Sequence, residues 1–326
     1  MVTKKAIWNH KSGSNGTCCK IKWMLKPPKL QSGDRVRVVV PASPVKPEFF
    51  EPGVAVLREL GFEVIFGDVY RKWRYLAGSD SQRRSELLQA LEDPGCKAIF
   101  FARGGYGSIR ILTREMKFRK SVQPKILLGC SDITTLHLYF QRMHRWVVFH
   151  GPMASGDFAR GHVHTDSLKH ALLQTSPYML APGGVEVLQA GEAEGLLTGG
   201  CLTLLESAIG TDWEPDWTDS ILFLEDVSAK PYQIDRMLTH LRILRKFDRV
   251  RAFLFGEMKD CVQVENQGYT LQEVILDVLG DLKKPIFFGF PSGHVSGLNW
   301  TLPLGVRSRI GTTPQFRLEI LEGAVL

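Results

Sequence analysis

A chain of 326 residues with 44% hydrophobic and 23% charged residues has the composition of a soluble globular protein, long enough for two domains with separate cores. No apolar run approaches the ~18 residues that a membrane span requires, so no membrane partner is expected. The net charge of +7 is local: residues 1–29 hold seven lysines and no acid, which leaves 34 basic and 34 acidic residues in the remainder. A basic tail binds polyanions without specificity, and a neutral body offers no specific nucleic-acid surface.

Residues 1–29 lack helical periodicity and are rich in Gly, Ser, Asn and Lys, which predicts a disordered tail. They also lack the apolar core of a secretory signal, and Met24 is a candidate natural start. The six cysteines (18, 19, 96, 130, 201 and 261) show no C-x-x-C spacing and no neighbouring histidine pair. This argues against a zinc site and for reduced thiols in a cytoplasmic protein, with no metal and no cofactor expected.

Arg35 to Val40 predicts the first strand, left through Pro41-Ala42-Ser43-Pro44. A helix with Val54, Leu57 and Leu60 on one face ends at Gly61, and Phe62 to Phe66 makes a second strand, completing a βαβ unit. Residues 70–85 read as a polar and aromatic surface loop running into a helix of Leu87, Leu88 and Leu91. The strand Lys97 to Phe101 then runs straight into Ala102-Arg103-Gly104-Gly105-Tyr106-Gly107-Ser108. Glycines between a strand and a helix let backbone N–H groups approach an anion closely, although a packing turn would look the same. Neither the G-x-G-x-x-G spacing nor a G-K-[ST] motif is present, so an oxyanion or a carboxylate suits this loop better than a nucleotide.

Lys125 to Gly129 predicts a buried strand, and Ile133, Leu136, Phe140 and Met143 recur at helical spacing after it. Ser131 therefore occupies a tight strand-to-helix turn, the position of a nucleophile, although Ser131 or Asp132 could simply cap the helix. The strand Trp146 to Phe149 leads into His150-Gly151-Pro152-Met153. Strands alternating with helices over residues 33–153 imply an open, mostly parallel sheet whose ligands bind at the carboxyl ends of its strands.

Residues 155–195 are poorly periodic and read as a connection between domains; the expected division is a tail 1–29, a domain 30–155, a linker 156–194 and a second domain 195–326. In the second domain, Ile221 to Leu224 is a buried strand ending at Glu225-Asp226, and Pro231 to Leu244 is a helix burying Ile234, Met237, Leu238 and Leu241. A strand Ala252 to Phe255 follows, then a helix from the capping box of Thr270 and Glu273, then a strand Ile286 to Phe290. That strand ends in Pro291-Ser292-Gly293-His294, and strands near Val306 to Ile310 and Phe316 to Leu321 close the chain.

A serine hydroxyl attacks only when a base removes its proton and a third group orients that base. Three strand ends supply those types, in Ser131, Glu225 and His294. His150 is a rival base, and Asp226 is a rival to Glu225.

Together these motifs resemble the LD-carboxypeptidase family of serine peptidases, which includes muramoyl-tetrapeptide carboxypeptidases and microcin-immunity peptidases. The resemblance runs from about Leu30 to about Glu322. It rests on Pro41-Ala42-Ser43-Pro44, Arg103-Gly104-Gly105-Tyr106-Gly107, Gly129-Cys130-Ser131-Asp132, His150-Gly151-Pro152-Met153, Leu224-Glu225-Asp226, Pro231-Tyr232-Gln233-Ile234-Asp235-Arg236 and Pro291-Ser292-Gly293-His294. It implies an α/β protein, with a flavodoxin-like nucleophile domain followed by a smaller α/β domain of the swivelling β/α type. It further implies a triad of Ser131, Glu225 and His294, and an oxyanion hole of N–H groups at Asp132 and at Gly104 or Gly105. The implied substrate is a murein peptide losing its terminal D-alanine, with cleavage of an amide-linked nucleotide antibiotic as the alternative within the family and a non-catalytic anion-binding module using the glycine loop as the alternative from another class; a homodimer is the expected assembly. A carboxypeptidase must also bind a free carboxylate, for which Arg103 and Arg236 are candidates because guanidinium can do so bidentately. Two residues depart from the family pattern: Cys130 stands where an aromatic residue is usual and Cys201 where an asparagine is usual.

Overall fold

The computed structural model describes residues 24–112, 116–119, 121–262, 268–312 and 315–326. In chain order, the first half consists of β1 (Arg35–Val39), α1 (Pro47–Glu59), β2 (Glu63–Ile65), α2 (Asp80–Glu92), β3 (Cys96–Phe101), α3 (Ser108–Ile111), β4 (Ile126–Gly129), α4 (Thr134–Tyr139), β5 (Val148–His150) and α5 (Thr165–Leu173). The second half consists of β6 (Tyr178–Leu180), β7 (Glu186–Gln189), β8 (Ala193–Cys201), α6 (Leu202–Ser207), β9 (Ser220–Glu225), α7 (Pro231–Ile243), β10 (Ala252–Gly256), α8 (Leu271–Leu279), β11 (Ile286–Phe290), β12 (Leu302–Leu304), β13 (Val306–Gly311) and β14 (Arg317–Ile320).

Strands β2-β1-β3-β4-β5 pair in parallel in that order, which is the flavodoxin-like arrangement. Its order reverses between β1 and β3, so the crevice for a ligand opens above the loops that leave those two strands. The central strands are apolar where helices cover both faces: Ala98, Ile99, Phe100 and Phe101 of β3 are all at most 1% exposed. The second sheet has eight strands in the order β6-β14-β13-β8-β9-β10-β11-β7, with β8 to β11 parallel and the flanking strands antiparallel. The capping box of Thr270 and Glu273 is formed, with the Glu273 N–H donating to Thr270 Oγ1 at 3.1 Å, and α8 buries Leu271, Ile275 and Val278.

Three expectations need correction. Residues 156–194 are not a bare connection: they contain α5, and β6 and β7 form the two edges of the second sheet. Short edge strands carry too few residues to show a period. Helix α2 starts earlier than expected, at Asp80, because Ser79 and Gln82 make a reciprocal capping box inside the stretch read as loop. A strand that sequence reasoning missed, β12, pairs antiparallel with β5, so the chain returns to the first sheet after β11 and interlocks the two halves.

The predicted disordered tail extends over residues 1–23, which lie outside the described residues, and over residues 24–29, which are packed. The Leu25 N–H donates to the Arg145 carbonyl at 2.6 Å, and the Leu326 N–H donates to the Pro27 carbonyl at 2.9 Å. Lys26 Nζ lies 2.6 Å from Glu322, and Leu30 and Val325 are both 2% exposed. Removing Met24–Lys29, against a chain that begins at Met24, is therefore expected to lower the melting temperature by roughly 3 °C, from the loss of about 2 kcal/mol of hydrogen bonding. Equal melting temperatures for the two forms would show that these contacts are not made.

Candidate active site

Ser131 follows β4 through Cys130 and opens a single 3-10 turn, Ser131–Ile133, before α4. Its backbone is left-handed, with φ +62°. A non-glycine residue held there is strained, and strain of this kind in a strand-to-helix turn is what presents a nucleophile's hydroxyl clear of the sheet. The helix expected after Ser131 is present: α4 runs without a break into a π-helical turn, Phe140–His144, which buries Phe140 while Met143 is 48% exposed.

The glycine loop after β3 lies against this turn. A Cβ built on Gly104 would stand 2.8 Å from Ser131 Cβ, 3.0 Å from its Oγ and 3.1 Å from the Asp132 nitrogen, so only glycine fits. The Gly104 carbonyl accepts the Ser43 N–H at 3.2 Å, and the Gly105 N–H of the same trans peptide therefore points away from Ser43. Gly105 has φ +99°, and a side chain there would collide with Ser43 Oγ at 2.3 Å. Asp132 caps a helix other than its own: its buried Oδ2 accepts the Ser108 N–H at the start of α3, at 2.8 Å. That bond ties the serine turn to the glycine loop. Gly104→Ala is expected to lower kcat/KM by roughly 100- to 1000-fold, because displacing a nucleophile by about 1 Å already costs about 100-fold. Activity within a few-fold of wild type would mean that the loop does not constrain Ser131.

The same loop has a brace that sequence reasoning missed. Arg83, in the stretch read as surface, is fully buried. Its Nη1 donates to the Gly107 carbonyl at 2.8 Å and to the Pro41 carbonyl, joining the loops after β3 and β1, and its other nitrogen pairs with Asp80. Burial pulls the guanidinium below its usual range, with the Asp80 carboxylate opposing.

Glu225 ends β9 with no solvent exposure, and its Oε2 accepts both the His294 Nδ1–H at 2.7 Å and the His294 backbone N–H at 3.1 Å. A glycine precedes the histidine for a steric reason: a Cβ on Gly293, at φ +91°, would lie 2.6 Å from the Glu225 carboxyl carbon. Burial raises the carboxyl group, but the charge and hydrogen bonds of His294 outweigh it and hold Glu225 below the ordinary value. Burial likewise opposes a charge on His294, yet Glu225 wins and raises the imidazole above 6.5.

The rivals are differently placed. His150 is fully buried, its Nε2 is 3.8 Å from Glu225 Oε1, beyond hydrogen-bond reach, and burial pushes its pKa down to about 4. His137 is also fully buried on α4 and is pushed down to about 3. Asp226 accepts from the Thr203 N–H at 2.9 Å and the Thr203 hydroxyl at 2.7 Å, so it caps α6. Among the described residues no group of three His, Cys, Asp or Glu side chains converges to hold a metal ion. No helix of the described residues is long and apolar enough to cross a membrane.

Cys130 and His294 line one cleft of about 510 Å³ between the two halves, with Phe49, Arg103, Asp157 and Lys259 among its other walls. Arg103 is thus in the cleft, while Arg236 is exposed on α7 and is not among the lining residues. Lys259 was missed, although its place in the loop leaving β10 is itself a strand-end signal. Both family departures are buried: Cys130 is 1% exposed, and Cys201, 4% exposed, pairs in register with Glu225 and donates its N–H to Thr134 Oγ1 at 3.1 Å.

Residues 36–151 match the model of the LD-carboxypeptidase N-terminal domain, and residues 194–310 match that of the C-terminal domain. The chain belongs to the LD-carboxypeptidase family. It is 35% identical over 311 residues to a Bacillus subtilis protein described as a probable murein peptide carboxypeptidase, covering 92% of this chain and 97% of that one. The fold superposes on the MccF-like protein of Bacillus anthracis str. Ames with a TM-score of 0.82 at 27% identity, over 91% of this chain and 99% of the other. It superposes on the muramoyltetrapeptide carboxypeptidase of Oxalobacter formigenes with a TM-score of 0.77 at 26% identity, over 89% and 99%. The expected α/β fold and the family resemblance are therefore both met.

Proposed function

We propose that this LD-carboxypeptidase is a serine hydrolase that removes the terminal D-alanine from murein tetrapeptides, a step of peptidoglycan recycling. The observation that carries the chemistry is the buried Glu225 carboxylate 2.7 Å from His294 Nδ1, with His294 in the same cleft as the residue before the strained Ser131. Hydrogen bonding at Nδ1 leaves Nε2 of the neutral ring as the acceptor, which is the tautomer a general base needs. Ser131 Oγ attacks the carbonyl carbon joining the L-centre to the D-residue while His294 Nε2 takes the hydroxyl proton. The oxygen that becomes negative is held by the N–H groups of Asp132 and Gly105. His294 then gives the proton to the leaving nitrogen as the C–N bond breaks, and a water activated by the same ring hydrolyses the acyl-serine.

Incubation with murein tri-, tetra- and pentapeptides, with products identified by mass, tests the substrate: only the tetrapeptide should yield tripeptide and D-alanine. Because Glu225 raises the pKa of His294, kcat/KM should fall with decreasing pH through a midpoint above 6.5. An acid limb centred well below 6.5 would remove His294 from the role of base. The likeness to the MccF-like structure supports a second reading, cleavage of an amide-linked nucleotide antibiotic. It would be favoured if such an amide were hydrolysed and the tetrapeptide left intact.

A further inference from the structure

Four cations line the cleft beside His294: Lys46, Arg103, Arg160 and Lys259. Lys46 is exposed and lies 3.8 Å from Glu48. The Arg160 guanidinium stands 5.5 Å over the ring of Phe49, and Arg103 Nη1 donates to the Pro44 carbonyl at 3.0 Å. Lys259 is held differently. It is half-buried, its Nζ donates to the neutral Val295 carbonyl at 3.3 Å, and it joins no ion pair among the described residues. The loop that carries it is rigidly specified: Met258 and Asp260 on either side are both left-handed, at φ +51° and +57°, and the Lys259 carbonyl accepts the Ser228 N–H at 2.9 Å. Non-glycine residues held in that conformation cluster at ligand clamps.

The direction of the reaction decides which cation matters. The C–N bond breaks as the leaving nitrogen takes a proton from His294, so the departing residue occupies the His294 side of the cleft. Its carboxyl carbon is two bonds from that nitrogen, about 2.5 Å away. Arg103 neighbours Gly104 in the glycine loop, and its Nη1 is engaged by the Pro44 carbonyl. Lys259 reaches instead to the residue that follows His294. We infer that Lys259 binds the free α-carboxylate of the departing residue and so makes the enzyme a carboxypeptidase rather than an endopeptidase; this rests on the reading of the site given above.

The test compares a murein tetrapeptide with the same peptide ending in D-alaninamide, using wild type, Lys259→Met, Lys259→Arg and Arg103→Met. Wild type should prefer the free acid. Lys259→Met keeps the apolar stem but not the charge, and kcat/KM for the free acid should fall roughly 10- to 100-fold, mostly through KM. Its rate on the amide should stay unchanged, so the preference collapses, and Lys259→Arg should restore part of it. Labelling of Ser131 by a fluorophosphonate should proceed at the wild-type rate in Lys259→Met, which separates a lost contact from a damaged site. A Lys259→Met enzyme that still prefers the free acid overturns the inference, as does a collapse of preference in Arg103→Met alone. Wild type that cleaves neither peptide removes the carboxypeptidase reading and this inference together.

Discussion

Ser131→Ala is expected to abolish turnover, lowering kcat by roughly ten-thousand-fold to a million-fold, while the protein stays folded. In the proposed mechanism no acyl-enzyme can form without the hydroxyl, and the residual rate would come from the oxyanion donors acting on water. The fold should tolerate the change because Ser131 is only partly buried and Ala leaves the Cβ, and hence the contact with Gly104, in place. The measurement pairs steady-state kinetics on the tetrapeptide with a thermal melt. A melting temperature within a few degrees of wild type, together with near-wild-type turnover, would end the assignment of Ser131 as nucleophile. Loss of both activity and folding would instead indicate that the strained turn itself had failed, and Ser131→Cys would then be the variant to compare.

Glu225→Gln should cost nearly as much, with kcat reduced by roughly 1000- to 10,000-fold. The amide is nearly isosteric but uncharged, so it would no longer favour the imidazolium that the proposed mechanism forms at His294. Its signature should appear in pH. Glu225 raises the folded pKa of His294 above 6.5 in the wild type. Removing the carboxylate leaves burial opposed only by the weaker influence of Asp226 and Asp157, and the acid limb of kcat/KM should move to lower pH. An acid limb that stays in place would show that Glu225 does not set the state of His294.

Stability follows the same pair. Glu225 is held below its ordinary value, so its contribution is present above the unfolded carboxyl pKa and is lost as pH falls through the folded one. His294 is raised, so its contribution is present below the unfolded imidazole pKa and is lost as pH rises through the folded one. The stability difference between wild type and Glu225→Gln should therefore be largest between those two limits and shrink on either side.

Much of the first sheet was legible because parallel strands covered on both faces are apolar, so β3 and β4 read as short apolar runs bounded by turn residues, while β1 reads as alternating Arg and Val. The helix α7 was legible for the complementary reason: Ile234, Met237, Leu238 and Leu241 repeat at a helical period because one face is buried and the other is wet. Ser131, Glu225 and His294 stood out as polar residues at the carboxyl ends of such runs, where a buried strand gives way to an open crevice. The short strands β6, β7 and β12 were not legible, since three or four residues at an edge carry no period and their pairing is decided by chain far away in sequence. The same limit hid Arg83 and Lys259, whose local surroundings are those of ordinary surface cations. Arg83 is buried only because Pro41 and Gly107 bring two carbonyls to it, and Lys259 shares a cleft with His294 only because β10 and β11 lie side by side. The sequence by itself determined the residue types and the strand ends on which they stand, because local apolar patterning reports burial; which of those ends meet in one cleft was decided by tertiary structure, because contact between Glu225 and a histidine 69 positions later depends on sheet order that no local pattern records.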